Sequence, residues 1–298
     1  MQSFSRGWSF LKQAWSMAFK DKDLLKPSVY ALIVGMIVSV IGIIPLAAAG
    51  FFLGDSQIGR IILFVLGSIL VFAQFVVTYV FSGMTVYLIY GYLTHGDGHM
   101  DKAWAIVRRD FFDILTLAAA STAVNMLRSL ANRSNRGIAG NLARSATSLL
   151  QVLWTEAAYL ILPAMVIDDL NLKNGMQRVL NITKENLLLI GISTVGVRFV
   201  TGLISFLFGL LGFAIGFAVG GGAAYLSGGS TALSIVGIVI GALIFFAFVM
   251  VANVFGSYTS TAYHTCLYIW ARDVETAKAE GRVEQKVAAP APLAAALA

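Results

Sequence analysis

Along the chain, long apolar runs alternate with short polar stretches. The runs fall at about residues 28–53, 60–92, 111–130, 146–167, 187–220 and 232–270. Each is near or above the roughly 20 residues that carry a helix across a hydrocarbon core about 30 Å thick. Inside such a core every backbone N–H and C=O must be bonded within its own segment, so unbroken runs of this length predict helices. A β-barrel would instead show segments of about ten residues with alternating hydrophobicity. The pattern predicts an all-α integral membrane protein with about six transmembrane helices in three hairpins. The last two runs exceed one crossing and must tilt, kink at their glycines or extend past the bilayer.

Amphipathic segments stand before the odd-numbered runs: "WSMAFKDKDLLKP" from residue 15, "WAIVRRDFFDIL" from 104 and "VLNITKENLLLI" from 179. Each ends in charge and leads into an apolar run, which predicts a short interfacial helix before each hairpin. Three weakly similar units result, at 1–93, 94–168 and 169–270, within one membrane domain over 1–270. Residues 3–20 place Phe4, Trp8, Leu11, Trp15 and Ala18 at helical spacing, with Arg6, Lys12 and Lys20 between them. Such a helix either lies on an anionic leaflet with its tryptophans at headgroup depth or packs on the bundle at the cytoplasmic face. Trp8, Trp15 and Trp104 are the expected interfacial anchors. The tail, 271–298, ends in "VAAPAPLAAALA" and reads as a low-complexity, weakly ordered cytoplasmic extension.

Composition agrees with this class. Of 298 residues 58% are hydrophobic and only 12% charged, against about 25% charged in soluble domains. The net charge of +6 is spread over short loops, which marks membrane flanks and anionic lipid headgroups rather than nucleic acid. Lys and Arg gather before run one (Arg6, Lys12, Lys20, Lys22, Lys26), in the second loop (Lys102, Arg108, Arg109) and in the fourth (Lys173, Arg178, Lys184). These share one side of a six-span chain, so both termini are expected in the cytoplasm and the protein in the plasma (inner) membrane. No cleavable signal peptide is evident in the first 27 residues. The third loop departs from the rule with Arg128, Arg133, Arg136 and Arg144. Either neighbouring charge outvotes it or runs three and four form a hairpin that does not fully cross. An exposed arginine cluster of this kind would suit an anionic lipid or a protein partner.

Ionisable groups inside apolar runs are costly, at least ~3 kcal/mol each on insertion scales, and turn toward partners. Glu156 lies about ten residues into run four and Arg198 about eleven into run five, from the opposite side. Both counts place them near one depth, and the expectation is a pair or a polar network with Gln74, Asn125 or Asn253. Such a layer either bridges helices or lines a path for an ion, proton or small solute. Small residues recur at Ser205, Gly209, Gly212, Gly216 and Gly220 in run five and at Gly237 and Gly241 in run six. They form grooves that admit a second backbone, within one chain or between copies.

"THGDGHMDK" offers His95, Asp97, His99 and Asp101 at i, i+2 spacing in a glycine-rich turn, which suits a turn with Asp101 as N-cap better than a metal site. His264 is expected at an interface. The single cysteine, Cys266, allows no internal disulfide or CxxC motif and reads as a small packed hydrophobe. No GxSxG, GxxxxGK[ST], GxGxxG or HExxH motif occurs. No cofactor and no enzymatic activity are expected.

"RGWSFLKQAWSMAFKDKDLLKP", "GDGHMDKAWAIVRRDFFDIL" and "LWTEAAYLILPAMVIDDLNLKNGMQRVLNITKENLLLIG" resemble a widespread uncharacterised family of prokaryotic polytopic membrane proteins, a domain of unknown function. The resemblance covers about residues 3–200 and implies a single membrane domain without an assigned activity. It places Trp154, Pro163 and Asp168 where that family tends to have an aromatic, a proline and an acid. The glycine-rich region from 205 to 241 departs from the family pattern. The expected role is that of a structural or organising component in an oligomeric assembly, and a transporter or channel around Glu156 and Arg198 is the alternative.

Overall fold

The computed structural model describes residues 2–54, 56–133, 138–226, 231–281 and 287–297. Within these stretches the side chains of 2–4, 133, 138–142, 183–199, 224, 226, 296 and 297 lie outside the description. Among the described residues there is no strand. The helices are α1 Gln2–Lys20, α2 Lys26–Leu53, α3 Gln57–His95, α4 Met100–Arg109, α5 Phe111–Arg133, α6 Ile138–Asp168, α7 Leu172–Leu226, α8 Thr231–Ala279 and α9 Ala291–Leu297. Six of them are long and apolar enough to cross a membrane. This is an all-α, membrane-embedded architecture.

The spans pair as hairpins, α2 with α3, α5 with α6 and α7 with α8. The first turn is closed by Ser56, whose hydroxyl accepts from Gly59 N at 2.8 Å and donates to Leu53 O at 2.8 Å. α1 and α4 are separate helices before the first two hairpins. The third amphipathic stretch is instead continuous with its span, so α7 runs for 55 residues. At about 1.5 Å per residue, α7 is roughly 80 Å long, and α8, with 49 residues, is over 70 Å. Both extend far beyond one bilayer core, which resolves the excess length of runs five and six.

The extensions build a base. Its core takes Phe10, Leu11 and Ala14 from α1, Met84, Leu88 and Ile89 from α3, Ile114 and Leu117 from α5, Ile161 and Leu162 from α6, and Tyr258 and Tyr263 from α8. α1 therefore packs on the bundle through Phe10, Leu11, Ala14, Met17 and Ala18, while Trp8 stays half exposed at 51%. The helix is tied to the bundle at this stripe, where the Tyr258 hydroxyl of α8 donates to Ala14 O at 3.0 Å. The tail differs from the weakly ordered extension expected of it. α8 continues through Ala279, and α9 lies on α1 with Leu293 fully buried. Alanine-rich composition is low in complexity but high in helix propensity, and one leucine anchors it.

Away from the base, the faces of α2, α7 and α8 are apolar and exposed, with Ile37, Val40, Ile44, Phe206, Phe213, Phe217, Ile238 and Leu243 among them. Exposed aliphatic and aromatic surface on this scale is the signature of helices solvated by acyl chains.

Candidate functional site

Glu156 meets His264. Nε2 of His264 lies 3.2 Å from Oε2 of Glu156, joining α6 to α8. The other ring nitrogen, Nδ1, is 2.7 Å from the carbonyl oxygen of Ser260, one turn earlier on α8. A carbonyl only accepts, so Nδ1 carries the hydrogen and Nε2 is left to face the carboxyl group. The Nε2···Oε2 contact is then a hydrogen bond only when one proton lies between the two atoms, on either partner. Tyr159 stacks on the imidazole with centroids 4.9 Å apart, and Tyr263 meets its edge at 5.2 Å. The His264 side chain is 3% exposed and that of Glu156 26%.

A second contact levels three helices close to this pair. Tyr79 Oη and Ser121 Oγ are 2.7 Å apart, and Trp154 Nε1 donates to the same Ser121 Oγ at 2.8 Å. α3, α5 and α6 are level at that point, and Glu156 is half a turn from Trp154. Tyr79 lies about six turns, or roughly 33 Å, from the start of α3. α6 begins at Ile138, and the part of it apolar enough to cross a membrane, Ala143–Asp168, has Glu156 near its middle.

Among the described residues, the amides expected beside Glu156 stand elsewhere. The side chain of Arg198 lies outside the described residues. Gln74 donates to Gly35 O at 2.8 Å and to Ser39 Oγ at 2.7 Å, which ties α3 to α2. Asn125 lines a cavity of about 220 Å³ between α3 and α5, with Ser68 and Ser129. Asn253 donates to Val249 O on its own helix at 2.9 Å and is exposed. Gln74 and Asn253 take nearby carbonyls, because a backbone acceptor one turn or one helix away satisfies them without reaching a distant acid.

A larger polar cluster lies nearer the base. Asp168, at the end of α6, accepts from the Tyr268 hydroxyl and, at 3.1 Å, from Arg272 Nη1, both on α8. The Arg272 guanidinium covers the Tyr90 ring of α3 at 5.5 Å. Arg178 of α7 pairs with Glu275 at 2.6 Å. On the α4–α5 junction Arg109 holds the buried Asp110 at 2.6 Å and reaches Asp169 at 3.0 Å. Its hydrogen bond to Asp110 raises Arg109 further above its ordinary value, so the guanidinium stays charged. Sequence reasoning missed His264, Tyr268 and Arg272 as a set. Their spacing of four residues along one face of α8 was the available signal.

The small residues meet inside the chain. A Cβ on Gly216 would overlap the carbonyl oxygen of Gly241, and a Cβ on Gly241 that of Gly216. One on Gly212 would lie 2.6 Å from Phe248 Cβ, and one on Gly220 3.2 Å from Gly237 O. Ser205 faces Gly256, whereas Gly209 has nothing within 4 Å. In the basic loop Arg128 donates to Gln151 Oε1 across the α5–α6 hairpin, and Arg144 is half-buried. The side chain of Arg133 and all of Arg136 lie outside the described residues.

Of the anchors, Trp15 donates to Thr259 Oγ1 at 2.9 Å and packs on Phe255, inside the base rather than at a headgroup. Its indole N–H finds a hydroxyl there, which lipid tails would not supply. Trp8 and Trp104 remain exposed on their outer faces. In the glycine-rich turn, Gly96 takes φ +81 to end α3, and His99 Nδ1 stands 3.4 Å from Asp97. His99 occupies the N-cap of α4, with Asp101 in its first turn, so the cap falls two residues earlier than expected. Cys266 is fully buried.

Among known proteins, no family model and no curated sequence matches the chain.

Proposed function

We propose that this is a non-enzymatic, multi-pass membrane protein that acts as a structural or organising component of an oligomeric assembly. It works in the plasma (inner) membrane with both termini on the cytoplasmic side. The observation that carries this reading is how the polar side chains between helices are spent. Trp15 with Thr259, Tyr79 and Trp154 with Ser121, Gln74 with Gly35 and Ser39, and Asp168 with Tyr268 and Arg272 all join one helix to another. Polar groups closed on one another hold a shape, and the apolar hairpin faces outside that frame are left to meet lipid, further copies or another membrane protein.

The test is cysteine cross-linking on the exposed faces of α2 and α8 in native membranes, with the mass of the particle after mild extraction. Discrete oligomers with reproducible cross-links support the reading. A monomer at every concentration, without cross-links, removes it.

A transporter or channel is the second reading, and the contact of Glu156 with His264 is what favours it, since buried acid–imidazole pairs serve proton relays. Purified protein in liposomes discriminates. Proton or solute flux that Glu156→Gln abolishes would replace the scaffold reading with this one.

A further inference from the structure

We propose that the corner between α2, α3 and α4 is a phospholipid site that takes one acyl chain, with the headgroup phosphate on Arg108. A cavity of about 370 Å³ is lined there by Ile33 and Val34 of α2, Phe81 and Met84 of α3, and Met100 and Trp104 of α4. Water would find no hydrogen-bond partner among these walls, and a buried water needs two to four. The natural occupant is therefore apolar. With a methylene taking about the same space as a water, roughly 30 Å³, the cavity holds on the order of a dozen carbons, the bulk of one acyl chain.

The polar end is equally defined. Arg108 follows Trp104 by one helical turn and lies over its ring at 5.3 Å. Among the described residues Arg108 makes no ion pair, so its N–H fork is open to a phosphate, which a guanidinium binds in bidentate fashion. Tyr30, which is 44% exposed, also lines the cavity, and one turn before it on α2 is Lys26, paired with Asp23 at 2.6 Å. Asp101 is the acid in the first turn of α4. α4 turns Ala103 and Val107 into the bundle and holds Trp104 and Arg108 at its edge, so it overhangs the cavity as an interfacial helix does. The hairpin faces of α2, α7 and α8 are exposed apolar surface too, but here apolar walls, a chain-sized volume and an open cation coincide.

The test uses the full chain in detergent, with phosphatidylglycerol as the probe and native mass spectrometry counting the lipids retained. The wild type is expected to hold one lipid with markedly higher affinity than the rest. Arg108→Glu and the cavity-filling Val34→Trp should each weaken that first binding step tenfold or more. Ile238→Trp, on an exposed face of α8, should leave it unchanged. Equal retention in Arg108→Glu and the wild type overturns the proposal, as does an equal loss in Ile238→Trp, which would mean ordinary surrounding lipid. Arg108 is a surface position, so that variant decides alone if Val34→Trp does not fold.

Discussion

Replacing Gly241 with alanine tests how α7 and α8 are joined. The new Cβ would fall on the carbonyl oxygen of Gly216, well inside the 3.4 Å at which ordinary contact begins. Neither atom belongs to a flexible side chain, so no rotamer change relieves the overlap. The helices must part by about 1 Å to restore a normal separation, and the neighbouring approaches of Gly220 to Gly237 and of Gly212 to Phe248 loosen with them. Overpacking of this kind costs about 1–3 kcal/mol. Alanine recovers about 1 kcal/mol of helix propensity over glycine, which leaves a net loss of about 0–2 kcal/mol.

Gly209→Ala is the matched control. Nothing lies within 4 Å of that position, so it should be neutral or stabilising by up to ~1 kcal/mol. Adding Gly216→Ala to Gly241→Ala should cost less than the sum, because the first substitution already opens the shared gap. The assay is unfolding in mixed detergent micelles, followed by circular dichroism. If Gly241→Ala and Gly209→Ala shift the midpoint alike, the close approach of these backbones is wrong.

Other perturbations read the remaining ties. Trp154→Phe removes one donor to Ser121 while leaving Tyr79 in place, and should cost about 1 kcal/mol in the same unfolding assay; no change would mean the indole bond contributes nothing. Asp168→Asn strips the acceptor shared by Tyr268 and Arg272. A double-mutant cycle with Arg272→Gln should give a coupling of about 0.5–3 kcal/mol, and strict additivity would break the cluster into unrelated surface charges. Glu156→Gln keeps an N–H that can donate to Nε2 of neutral His264, so it should be milder than Glu156→Leu by about 1 kcal/mol or more; equal losses would show that Nε2 needs no donor from Glu156. Leu293→Asp should release α9 from α1, at a cost of about 2–3 kcal/mol for the buried leucine, and make the C-terminus cleavable under limited proteolysis at protease levels the wild type resists.

The extent of the spans was legible because it depends on a local quantity. Runs at 28–53, 111–130 and 232–270 correspond to α2, α5 and α8 with ends moved by only a few residues, except where α8 runs on to Ala279. Four-residue spacing of glycines likewise marks a face that another backbone can approach, whichever helix fills it. The partner of Glu156 was not legible in the same way. Counting residues from the ends of apolar runs set Glu156 at the level of Arg198, whose side chain lies outside the described residues, and gave no signal for His264. His264 was set aside because it sits near the end of run six. The length of α8 brings it instead to the level of Glu156.

Sequence alone determined the class of this protein, the six long apolar helices and their hairpin order, because hydropathy and helix length are properties of consecutive residues judged against one solvent. Only the tertiary structure decided which polar groups meet. That depends on how far each helix is shifted and rotated against its neighbours, and a shift of one turn, about 5.4 Å, exchanges every partner. Gln74 therefore bonds α2 rather than an acid, Trp15 turns into the base rather than to lipid, and Asp168, Tyr268 and Arg272 form the cluster that no span of consecutive residues announces.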